Sequence, residues 1–139
     1  MRYLILLLAL AGAIVSTLAL RVHYTTGTEP CDINAKWDCG IVNHSSYSML
    51  FGVPVAAIGI AGYLLLGGLG WYRQRFLLML AVFGAFCFAL RLSFVEEFAL
   101  ETWCLYCAIS QGIIALLLLA SVGWFTAEYL ALRRGARAA

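Results

Sequence analysis

Four apolar runs, each close to the roughly 20 residues a helix needs to cross a hydrocarbon core, dominate this chain and restrict what it can fold into. They cover about residues 3–20, 54–71, 76–94 and 103–129. Backbone N–H and C=O groups find no partners in lipid, so each run must be a helix. The predicted fold class is all-α: a four-transmembrane-helix bundle in one membrane domain, 1–139, with an exported loop over about 21–52. Composition points the same way. With 64% hydrophobic and 12% charged residues and a mean hydropathy of +0.94, a soluble domain of this length could not cover its apolar surface. Gly52 and Pro54 suit the start of the second helix, where proline's missing N–H costs nothing. Ala56, Ala57, Gly59, Ala61 and Gly62 make the outer half of that helix small-sided, as close helix contact requires.

The charges orient the bundle. Arg2, Arg73, Arg75, Arg133, Arg134 and Arg137 flank one set of helix ends, while Glu29, Asp32, Asp38, Glu96, Glu97 and Glu101 flank the other. Basic residues favour the cytoplasmic side, so both termini are expected there and the 21–52 loop and 95–102 turn on the opposite side. Arg2 before the first run also resembles a secretory signal peptide. The run is long for one, no small-x-small cleavage site follows, and the loop would be exported either way. No basic run suggests nucleic acid.

Four of the five cysteines form two short-spaced pairs. Cys104 and Cys107 make a C-x-x-C at the expected start of the fourth helix, on one helical face and within disulfide reach. A helix N-terminus favours the thiolate, although Glu101 nearby opposes it. Cys31 and Cys39, seven residues apart in sequence between them, lie in the exported loop on the same side. Taken alone, that pair has a plainer alternative as a staple in an oxidising compartment, and a C-x-x-C also occurs in zinc and iron–sulfur sites. Two pairs on one membrane face suggest a relay, in which a mobile pair collects electrons and passes them to a fixed pair. The fixed pair then needs an acceptor. The chain has no dinucleotide fingerprint and too few histidines for a haem site, whereas an apolar bundle suits a lipid-soluble quinone.

The combination of C-x7-C in the first exported loop, Ser45 six residues later, Phe51-Gly52-Val53-Pro54 opening a helix and Trp103-Cys104-Leu105-Tyr106-Cys107 on the last helix resembles the vitamin K epoxide reductase family, and within it the stand-alone bacterial members. The resemblance implies a four-helix bundle around a quinone of ubiquinone, menaquinone or vitamin K type, without a metal, capped by the loop. It implies that Cys31 meets a thioredoxin-like partner, that Cys39 attacks Cys104, and that Cys107 faces the quinone. Ser45 matches a family position near the quinone, Phe51 is expected as a pocket wall, and Asn43 and Gln111 are the further candidate contacts. Gln111 stands where vertebrate members carry tyrosine. That departure bears on epoxide reduction, while glutamine can still hydrogen-bond a quinone oxygen. The chain stops at Ala139, so a separate, DsbA-type periplasmic partner is expected, with a monomer in the bacterial inner membrane supporting disulfide-bond formation.

The remaining candidates have plainer readings. Cys87, mid-way along the third run, is expected to be a small buried hydrophobe. Arg91 can snorkel to the interface or pair with Glu96. His44 is the histidine with a claim on quinone protonation, ahead of His23, although such loop histidines are usually solvated. Asn43-His44-Ser45 spells a glycosylation acceptor, read here as a chance match. Trp37 packs the loop onto either the bundle or the partner. Two rival functions differ in kind. A DsbB-type oxidase would carry its C-x-x-C in an early exported loop rather than on the last helix. A non-enzymatic membrane protein would hold structural disulfides, resistant to mild reductant, or a cysteine metal site.

Overall fold

With no proline and no charge between Arg2 and Arg21, the first apolar run forms α1 (Arg2–Tyr24) in the computed structural model, which describes residues 1–138. Then follow α2 (Cys39–His44), a 3-10 turn (Ser46–Ser48), the strands β1 (Met49–Leu50) and β2 (Val53–Pro54), α3 (Val55–Trp71), α4 (Arg75–Val95), a π turn (Glu96–Leu100) and α5 (Leu105–Ala138). Helix makes up 79% of the chain, and the short hairpin and an isolated Trp37–Trp103 bridge lie outside the expected all-α class. α1, α4 with its π turn, and α5 are each long and apolar enough to cross a membrane, whereas α3 is apolar but only 17 residues long.

The helix ends differ from those expected. α5 runs past 129 to Ala138, because Ala, Leu and Arg are strong helix formers and nothing there stops the helix. α1 likewise continues past 20 to Tyr24. Most of the expected 95–102 turn is a continuation of α4 by a π turn, closed by Glu101 in the left-handed conformation (φ 53°). Pro54 precedes α3 as its N-cap and does not open it.

α1 packs against α3 and α5, and α4 packs mainly against α5. α1 buries Ile5, Ala9, Gly12, Ala13, Ser16 and Ala19, spaced three or four apart so that they share one face. The facing stripe of α3 is Gly59, Tyr63, Leu66, Gly67 and Gly70. A Cβ at Gly70 would lie 2.7 Å from Ile5, one at Gly59 would lie 2.9 Å from the Ser16 hydroxyl, and one at Gly12 would overlap the Tyr63 ring. Close approach therefore runs the length of α3. Of the small patch expected at residues 56–62, Gly59 takes part, while Gly62 faces open space. Leu78, Val82, Ile114 and Leu117 of α4 and α5 complete this core.

The outward faces are apolar too. Leu4, Leu7, Leu10, Ile14 and Leu18 of α1, and Leu77, Leu80, Phe83, Leu90 and Phe94 of α4, are all exposed. Apolar patches of this extent need lipid or protein against them, a pattern compatible with a multi-pass membrane protein. Cys87 belongs to this outer face. It is exposed rather than buried, because its turn of α4 faces away from the core. Arg75 pairs with Glu128, tying the start of α4 to α5, and the Arg2 guanidinium lies 4.9 Å from the Trp71 ring centroid at the same end. Arg91 is exposed and, among the described residues, makes no ion pair with Glu96. At the opposite end a second, smaller core forms from Val22, Cys31, Cys39, Val42 and Cys104.

Candidate active site: two cysteine pairs above an apolar cavity

Local hydrogen bonds shape the loop before α3. Asp38 caps α2, its Oδ1 accepting the Ile41 N–H at 2.9 Å, so Cys39 begins a helix. Asp32 clamps the chain on both sides of the cysteine pair, accepting from the Glu29 N–H at 2.7 Å and the Gly40 N–H at 3.2 Å. The Glu29 N–H bond is the main reason its carboxyl sits below the ordinary carboxylate range. The loop is then pinned to the segment before α5. Asp38 N–H donates to the Trp103 carbonyl at 3.0 Å, Trp103 N–H donates to the Lys36 carbonyl at 2.7 Å, and the Trp37 and Trp103 rings lie 6.1 Å apart. Trp37 thus packs the loop onto the bundle.

This pinning brings the two cysteine pairs together. Cys31 and Cys39 form a disulfide with a Cα–Cα distance of 5.9 Å, while Cys104 and Cys107 are free thiols. Cys104 Sγ lies 3.3 Å from Cys39 Sγ. Cys31, Cys39 and Cys104 are 1%, 0% and 0% exposed, so a protein partner reaches Cys31 only if the loop opens. Cys104 precedes α5, with its carbonyl accepting the Ala108 N–H at 3.0 Å. Its thiol is held below the ordinary thiol range first by the hydrogen bond from the Cys107 thiol. The Cys107 backbone N–H and the Asn43 amide act the same way, while burial and the Glu96 carboxyl oppose them. The Asn43 amide also donates to the Cys39 carbonyl at 2.9 Å and lies 3.5 Å from Cys104 Sγ, so it braces both sides of the junction.

Beneath the cysteines, a cavity of about 420 Å³ opens between the helices. Val15, Ala19, Ile58, Phe88 and Leu92 make much of its wall apolar, and Cys107, Asn43, Ser45, Gln111, His23 and Glu96 border it. Three of the four candidate quinone contacts, Asn43, Ser45 and Gln111, therefore meet at one cavity with Cys107. The Ser45 hydroxyl donates to the Val42 carbonyl at 2.7 Å, ending α2. Phe51 does not join them. It is 97% exposed at the hairpin tip, where it and Gly52 both take positive φ (52° and 80°), and that turn projects it away from the cavity it was expected to wall.

The cavity brings in His23 rather than His44, and Glu96, which was not among the expected site residues, joins it. His23 borders the cavity and its Nδ1 lies 2.5 Å from the Asn43 carbonyl, whereas His44 is exposed and bonded to the Gly40 carbonyl at 2.7 Å. Glu96 is 4% exposed, its Oε2 accepts the Cys104 N–H at 3.2 Å, and it borders the cavity together with Cys107. The signal for Glu96 was a carboxylate at the end of an apolar run, which also fits a solvated helix end. The Tyr63 hydroxyl, 2.8 Å from the Ser110 hydroxyl, was hidden in a run read only as apolar.

Two cysteine pairs in sulfur–sulfur contact, on a scaffold of long apolar helices, can exchange a disulfide and are built for redox work at a membrane. Among curated proteins none matches the chain. Residues 3–122 match the vitamin K epoxide reductase family. With that match spanning most of its length, the chain belongs to the vitamin K epoxide reductase family, a family of oxidoreductases.

Proposed function

We propose that this chain is a membrane thiol oxidoreductase that takes electrons from a thioredoxin-like protein and delivers them to a quinone, supporting disulfide-bond formation. The observation that carries the reading is the 3.3 Å approach of Cys104 Sγ to Cys39 Sγ while Cys39 is bonded to Cys31. A thiol against a disulfide sulfur is what exchange requires. In the forward direction a partner thiolate attacks Cys31, and Cys39 leaves as a thiolate. The partner's second thiol resolves the mixed disulfide and releases Cys31. Cys39 attacks Cys104 of a Cys104–Cys107 disulfide and expels Cys107. Cys31 then attacks Cys39, which restores the loop disulfide and frees Cys104. Two electrons have moved from the partner's dithiol to the inner pair. An oxidised loop pair beside a reduced inner pair, the arrangement present here, is the product of that sequence.

The residues around the cavity fit a quinone. Its volume of about 420 Å³ lies in the range of about 300–1,000 Å³ usual for small-molecule sites. Its walls are apolar, and the amides of Asn43 and Gln111 can donate to ring oxygens. A bound quinone would supply a two-electron, two-proton acceptor. Cys107 borders the space it would occupy, and Asn43 holds the junction of the two pairs while doing so. In this reading all four long helices cross the bilayer within one domain, 1–139, and the protein acts as a monomer. The cluster of arginines at one end supports cytoplasmic termini in a bacterial plasma membrane, with the cysteines facing the oxidising compartment.

The test uses the purified protein in detergent with a chemical dithiol and a short-chain quinone, followed by quinone absorbance. The wild type reduces quinone, and Cys104→Ser and Cys107→Ser fall by at least about 100-fold. Cys31→Ser keeps part of the rate, because a small dithiol bypasses the loop. A folded wild type inert toward several quinones, or C-x-x-C variants that match it, would sink the reading.

A further inference from the structure

We infer that Glu96 is a catalytic proton carrier that exchanges a proton with the Cys107 thiol and with the acceptor held in the cavity. The inference rests on the quinone-linked reading above and extends it to a residue outside the four cysteines. Glu96 begins the π turn Glu96–Leu100 and is 4% exposed. Its Oε2 accepts the Cys104 N–H at 3.2 Å, at the head of the helix that carries Cys107, and it borders the same cavity as Cys107. Among the described residues no cation pairs with it. A buried carboxylate without a cation is costly, and ionisable groups inside membrane proteins mark proton and ion routes. Bonding the Cys104 N–H needs only a neutral oxygen, which glutamine would supply. What a carboxyl adds is the ability to take and return a proton.

The chemistry needs such a group. Oxidising the Cys104–Cys107 dithiol to a disulfide forms one S–S bond, breaks two S–H bonds and releases two electrons and two protons, all of which a quinone can accept. Glu96 takes the proton from Cys107 as its sulfur gives up electrons and passes it into the cavity. Earlier in the same forward relay it reprotonates Cys107 when Cys39 expels it from Cys104. Four other titratable groups line the cavity besides the cysteines, and two of them have partners of their own. His23 of α1 contacts the Asn43 carbonyl, Tyr63 of α3 bonds to Ser110, and Tyr47 and Tyr106 are the other two. On the Glu96 segment itself, Glu97 accepts from the Trp103 indole at 2.7 Å, and Arg91 and Glu101 are exposed.

The first measurement needs no quinone. In a reduced Cys104→Ser background, the pH profile of Cys107 alkylation by iodoacetamide is read from its own peptide, with Glu96 or with Glu96→Gln. Two groups sharing a proton give a two-step profile, so two steps are expected with Glu96 and a single step with glutamine. Superimposable profiles overturn the inference. In the otherwise wild-type protein, Glu96→Gln should lower dithiol-to-quinone kcat by about 100-fold. Glu96→Asp, which keeps the carboxyl, should recover at least about 10-fold of that loss. Circular dichroism confirms that each variant is folded. Full turnover in a folded Glu96→Gln overturns the inference as well. A two-step profile in a wild type that reduces no quinone overturns the acceptor assignment alone and supports proton exchange between Glu96 and Cys107.

Discussion

Cys104 has two sulfur neighbours, and its chemistry is set by both. Cys39 Sγ lies 3.3 Å away as the exchange partner, and the Cys107 thiol donates the hydrogen bond that chiefly lowers the Cys104 pKa. A lowered thiol pKa means that thiolate persists to lower pH, so attack by Cys104 on the loop disulfide should continue below the ordinary thiol range. Cys107→Ala removes the main cause. The pH profile of Cys104 alkylation should then move to higher pH, measured on the Cys104 peptide with the loop pair oxidised. An unmoved profile would mean that another group controls Cys104. The four cysteines were legible as pairs because their spacing, and their place at the same end of the apolar runs, can be read from a linear sequence. The surroundings of Cys107 were not. Glu96 lies eight residues before Cys104, and only the π turn and the left-handed Glu101 fold it back beneath the C-x-x-C.

Among the elements, the long helices were legible because apolar runs of membrane length have one backbone solution in lipid. Their seams were less so. Hydrophobicity is nearly uniform around α3, so no amphipathic face marks the side that packs, and glycine position decides it instead. Gly70 and Gly112 provide a matched test. A Cβ at Gly70 would lie 2.7 Å from Ile5, whereas one at Gly112 meets open space. Gly70→Ala should cost about 1–3 kcal/mol through overpacking, while Gly112→Ala should be neutral or slightly stabilising. Thermal unfolding in detergent would read both, and equal shifts would contradict the α1–α3 seam described here. The cap was the least legible part. The six-residue α2, the 3-10 turn and the two-residue strands are too short to leave a periodic signal. The Phe51-Gly52 turn needs two positive φ angles, which phenylalanine seldom supplies, and so Phe51 was expected inside the cavity rather than at the tip.

At the scale of the whole molecule, the two ends do different things. One end carries arginines, the Arg75–Glu128 pair and the start of α1; the other carries the cysteines, the cap and the cavity residues beside them. The charge asymmetry was visible in the sequence, as was the side on which the cysteine pairs meet. The loop's seal over its own disulfide was not, because it depends on Trp37 and Trp103 pairing across 66 residues of chain. With Cys31 at 1% exposed, opening of that seal must precede attack by a protein partner, whereas exchange between Cys39 and Cys104 needs no such opening. The central claim is that electrons pass between those two sulfurs. Its most direct test is the double variant Cys31→Ser, Cys107→Ser, which leaves Cys39 and Cys104 without their usual partners. Under mild oxidation the account predicts one cross-linked peptide joining Cys39 to Cys104, found by mass spectrometry without reduction. If both cysteines are still alkylated separately, under oxidation that forms both the Cys31–Cys39 and the Cys104–Cys107 disulfides in the wild type, the relay does not run through this contact.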